Sequence, residues 1–81
     1  MRSMAAVKKA AWEAADDRHY LQLAPGIGAQ VIWSERAPKG YVCWVLGTEQ
    51  ATVYQSDDVA KMFCEKRLRE LLTQALEGLP A

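Results

Sequence analysis

Hydrophobic positions recur at helical spacing towards both ends of the chain and alternate with polar ones in its middle. The last stretch, SDDVAKMFCEKRLRELLTQALEGLP (residues 56–80), sets Val59, Phe63, Cys64, Leu68, Leu71, Leu72, Ala75 and Leu76 on one broad stripe of 3.6-residue period. Ser56 stands where a side-chain oxygen can accept from the free N–H groups of a helix start. Asp57 and Asp58 follow in the first turn, where negative charge complements the helix dipole. Gly78 suits a left-handed residue past the last turn, with Leu79 folding back and Pro80 ending the segment. The pattern predicts a capped amphipathic helix.

Towards the other end, Ser3 to Leu23 is rich in alanine and free of Gly and Pro. Met4, Val7, Ala11, Ala14 and Leu21 fall at helical spacing, interrupted by Arg18 and widened by Trp12. This predicts a first helix, stopped by APGIG at 24–28. Three strand-like runs lie between, AQVIWSER, YVCWVLG and ATVYQ, joined by the hairpin-length APKG and GTEQ. The expected fold class is α+β. Its order is α-β-β-β-α: a three-stranded antiparallel meander packed against two helices, as a single small domain over 1–81.

With hairpin tips at Pro38-Lys39 and Thr48-Glu49, Trp33 faces Trp44, Val31 faces Leu46, and Trp44 faces Val53. Val31, Trp33, Val42, Trp44, Leu46, Ala51 and Val53 then form the core face. Ile32, Tyr41, Cys43, Val45 and Tyr54 fall on the opposite face, with Ser34, Arg36 and Thr52. A sheet covered on one side by helices should be polar on the other. This second face is apolar in its middle, so those five residues are the candidate partner-binding surface. Its occupant is the first helix, a second copy or a protein target. A loop of odd length would shift the register by one residue and exchange the two faces.

Composition narrows the function classes. The 81 residues are 51% hydrophobic and 25% charged, as in a folded chain. Ten basic residues balance ten acidic ones, which argues against a general polyanion binder. The longest apolar run, Tyr41 to Leu46, is far too short to span a bilayer. No apolar stretch of signal-peptide length follows Arg2, Lys8 and Lys9, so a cytoplasmic protein without membrane contact is expected.

Candidate chemistry is sparse. His19 stands near Asp16, but no second ligand or base lies at useful spacing, and it reads as a surface histidine. Cys43 and Cys64 sit inside apolar runs and read as buried packing thiols rather than nucleophiles or a disulfide. PGIG lacks the Lys and Ser/Thr of a phosphate cradle. No catalytic residue, metal site or cofactor is expected.

The remaining cluster is basic: Lys61, Lys66, Arg67 and Arg69, which Lys8 and Lys9 could join in space. The predicted order α-β-β-β-α resembles that of the double-stranded-RNA-binding domain, whose last helix opens on a lysine-rich phosphate grip. Here Ser56-Asp57-Asp58 stand at that place, and two carboxylates there repel a phosphate backbone. Glu65 and Glu70 can also pair with the helix's own basic residues. The expected function is therefore a small non-catalytic protein-binding module, an inhibitor or regulator of a larger complex or a homodimer. By analogy of size and architecture, phage-encoded anti-CRISPR-like inhibitors are one such class. The alternative is an RNA- or DNA-binding domain using the four basic residues.

Overall fold

The computed structural model describes residues 10–80. Along them run β1 (Glu13–Ala14), β2 (Arg18–Ala24), β3 (Ile27–Ser34), β4 (Gly40–Val45), β5 (Thr48–Tyr54) and α1 (Asp57–Glu77). The strands form one sheet in chain order, each antiparallel to the next. The fold is still broadly α+β, but the expected α-β-β-β-α order is corrected. The sheet has five strands instead of three, and one helix is present among the described residues instead of two.

The second half of the predicted first helix is β1 and β2; its residues 3–9 lie outside the described ones. Two local features explain the change. Leu21-Gln22-Leu23 alternates apolar and polar as a strand does, and in β2 Leu21 turns into the core at 7% exposure. Pro25-Gly26 then fits the type II turn, with Gly26 at φ +78°. That turn folds β2 directly onto β3, starting at Ala24 opposite Ile27. Ladder hydrogen bonds and burial outweigh the helix preference of the alanines upstream.

The register of the central hairpins is also corrected. Five residues, Glu35 to Lys39, connect β3 to β4, and they include a cis Ala37–Pro38 peptide. Trp33 therefore faces Tyr41, Ile32 faces Val42 and Val31 faces Cys43; Trp33 does not face Trp44. The β4–β5 turn is Leu46-Gly47, not Thr48-Glu49, with φ of +52° and +81° at the two residues. Val42 pairs with Val53 and Trp44 with Glu49, and extra β5 residues bulge out between them.

α1 starts as expected. Ser56 is its N-cap, and its hydroxyl accepts from the Val59 N–H at 3.4 Å. Gly78 closes the helix at φ −83°, in the right-handed region instead of the expected left-handed one. The helix lies across β3, β4 and β5. It buries Ala60, Cys64 and Leu68 against Leu21, Ala29, Val31, Cys43 and Val45, with Trp12, Leu71 and Leu72 packed at the margins. The buried stripe is narrower than the periodicity suggests. Phe63 and Leu76 remain 41% and 69% exposed, and the last turns of α1 are exposed throughout.

Candidate interaction surface

Alternation along each strand divides the sheet into two faces. One is the core under α1. The other carries two cross-strand rows. The first runs Arg18–Ile32–Val42–Val53, and the second Tyr20–Gln30–Trp44–Glu49. No helix lies on this second face among the described residues. Its centre is nonetheless apolar, with Tyr20, Ile32, Val42, Trp44 and Val53. Val42 is only 6% exposed, because Ile32 and Val53 flank it on the neighbouring strands. Beside Trp44 the face is concave. A hollow of about 450 Å³ is lined by Tyr20, Gln22, Gln30, Trp44 and Leu46 and floored by Gly28.

Polar groups frame this centre and are already engaged. The Arg18 guanidinium donates to the Gln30 side-chain oxygen at 2.8 Å and to Asp17 at 3.0 Å. Its hydrogen bond to Asp17, and then its charge, hold that carboxyl below the usual range. At the far edge Glu49 meets Arg36 at 3.8 Å. The face thus has the layout of an interaction surface, an apolar middle within a polar rim.

The five predicted partner-binding residues do not share one face. Cys43 and Val45 are 2% and 0% exposed beneath α1 and belong to the core. Tyr41 and Tyr54 point to the same side, where they join an aromatic rim. Trp33 meets Tyr41 edge-on at 5.0 Å, Tyr41 is the cross-strand partner of Tyr54, and Tyr54 stacks on Phe63 at 5.1 Å. Ile32 alone lies on the open face. The five-residue loop is the cause: it moves β4 by an odd number of positions against β3, which exchanges the faces of β4. Val42, Trp44 and Val53 replace the misplaced residues. The signal for Val42 and Trp44 was present in YVCWVLG, which is apolar on both faces and so cannot say which one the helix takes.

The four basic residues do not share one face either: at 100° per residue Lys66 and Arg69 lie on one side of α1, and Lys61 and Arg67 diverge from it in opposite directions. Lys61 pairs with Asp57 at 3.9 Å and lies over the Trp12 ring at 5.9 Å. Lys66 lies over Phe63, Arg67 pairs with Glu70 at 3.3 Å, and Arg69 edges a groove between α1 and β2. Lys8 and Lys9 lie outside the described residues. His19 is in β2 and faces Asp57, not Asp16, at 3.4 Å. Among the described residues no three His, Cys, Asp or Glu side chains gather as metal ligands would. The neighbouring Cys43 thiol, and then burial, push the Cys64 thiol well above the ordinary thiol value. No helix among the described residues is long and apolar enough to cross a membrane.

Comparison with protein-family models, curated proteins and solved structures finds no match for this chain.

Proposed function

We propose that the protein is a small non-catalytic protein-binding module, a regulator or inhibitor of a larger complex, and that it binds through the open face of its sheet. One observation carries this reading. Tyr20, Ile32, Val42, Trp44 and Val53 occupy the side of an antiparallel sheet that α1 leaves uncovered, where a one-sided sheet should be polar. Contiguous apolar surface of this kind marks interaction sites on small proteins. The pairing of Lys61 with Asp57 and of Arg67 with Glu70, and the divergence of these two from Lys66 and Arg69 around α1, speak against a phosphate-tracking stripe.

The test uses the tagged chain as bait in extract of its native host, with Trp44→Arg and Lys66→Glu as variants and circular dichroism to verify folding. The expected result is a protein retained by the wild type and by Lys66→Glu, but lost with folded Trp44→Arg. A partner retained equally by Trp44→Arg overturns the assignment of the face. Retained nucleic acid that is lost steeply with salt, and lost by Lys66→Glu, overturns the function.

A further inference from the structure

One buried seam between α1 and the sheet is made of small side chains. Ala29 and Cys43 come from the sheet, Ala60 and Cys64 from the helix, and none is more than 5% exposed. Small residues let the two backbones approach, and two contacts record how near they come. The Cys43 thiol donates to the Ala60 carbonyl at 3.2 Å, and the Cys64 thiol donates to the Gln30 carbonyl at 3.7 Å. Ala60 is one helical turn before Cys64, and Gln30 adjoins Val31, the cross-strand partner of Cys43. Each thiol therefore reaches past the other to the opposite layer. They are the chain's two cysteines. Packing alone asks for no second thiol against the first.

We propose that Cys43 and Cys64 form a redox clasp, a buried dithiol that oxidises to an intramolecular disulfide tying α1 to β4. The oxidant is a low-molecular-weight disulfide. When α1 lifts, one thiol loses its proton to water, and its thiolate attacks the reagent's S–S bond and expels one reagent thiolate. The second protein thiolate then attacks the protein-side sulfur of the mixed disulfide and expels the other. Two electrons pass from protein to reagent, and the two thiol protons end on the released reagent thiols. The closed fold does not react, because both thiols are buried out of the reagent's reach. Opening of α1 gates the step, and the product holds α1 down.

Oxidised glutathione at increasing, sub-denaturing urea tests the clasp, followed by alkylation, a count of free thiols and peptide mapping. Both thiols should disappear together into a Cys43–Cys64 linkage, faster as urea rises. The linked protein should melt about 10 °C or more above the reduced one. Dithiothreitol should reverse the gain, and Cys64→Ala should show none. The linkage map and the melting shift are read on the unmutated chain and do not depend on that variant. Thiols that stay free until the protein unfolds, a lasting glutathione adduct, disulfides between chains, or a linked form that melts no higher each overturn the proposal.

Discussion

A Cβ at position 28 has no room. Gly28 lies opposite Gln22 where β2 is bulged, and the added carbon would collide with the Leu21 carbonyl oxygen. Backbone cannot yield as a flexible side-chain end can, so Gly28→Ala should cost roughly 1–3 kcal/mol. The urea midpoint measures this, and an unchanged midpoint would contradict the β2–β3 register. Leu46 carries the opposite error. It sits at φ +52° in the β4–β5 turn, a conformation that costs a side chain with a Cβ about 1–2 kcal/mol. Two-residue hairpin turns of this type favour Asn-Gly, and Gly47 already supplies the second residue. Leu46→Asn should therefore raise stability by about 1 kcal/mol with an unchanged denaturant slope. A lowered midpoint would mean that Leu46 is kept for its contacts over the hollow. The Pro25-Gly26 turn could be read directly from residue types. The Leu46-Gly47 turn could not, because leucine is not a turn residue and VLGT looks like continuing strand.

At the scale of elements, α1 was legible and the N-terminal half was not. Ser56 marks the helix start by capping and Asp57 and Asp58 by their charge on the dipole, two independent mechanisms, and Cys64 and Leu68 recur where the core needs them. Ser56→Ala should cost about 0.5–2 kcal/mol through the lost bond to the Val59 N–H. Asp57→Lys should be worse than Ser56→Ala, since it reverses charge at the helix start beside His19 and Lys61. Thermal melts of the two variants check the order, and equal melting points would remove the electrostatic part of the argument. The misread first helix has a physical origin. Its stripe through Met4, Val7, Ala11 and Ala14 reached Leu21 only by passing over Arg18, whereas Leu21-Gln22-Leu23 already alternated. Propensity summed over the alanines outweighed three residues of strand period, and the pairing partner that decides the matter, β3, lies beyond the turn. Hairpin register failed for a related reason. The connection is a five-residue loop, Glu35 to Lys39, with the Gly of APKG already in β4, and one misjudged residue is enough to exchange faces.

At the scale of the whole molecule, one face of the sheet is covered and the other is open, and two adjacent residues tell them apart. Trp44 and Val45 are neighbours in β4 and point to opposite sides. Val45 is fully buried beneath α1, in contact with the Leu21–Ala29–Cys43 cluster. A charge there meets no partner, because no buried polar or charged residue exists among the described residues to receive it. Val45→Arg should therefore cost more than about 3 kcal/mol and unfold a domain of this size. Trp44 is half-buried on the open face, and arginine can lay its stem along Tyr20 and turn its head to water. Trp44→Arg should leave the chain folded, with a loss of about 1 kcal/mol or less. Amide dispersion in a two-dimensional NMR spectrum and urea midpoints distinguish the two. A folded Val45→Arg beside an unfolded Trp44→Arg would mean that the helix covers the other face. The open surface would then be Cys43 and Val45, and the clasp and the proposed binding face would fall together.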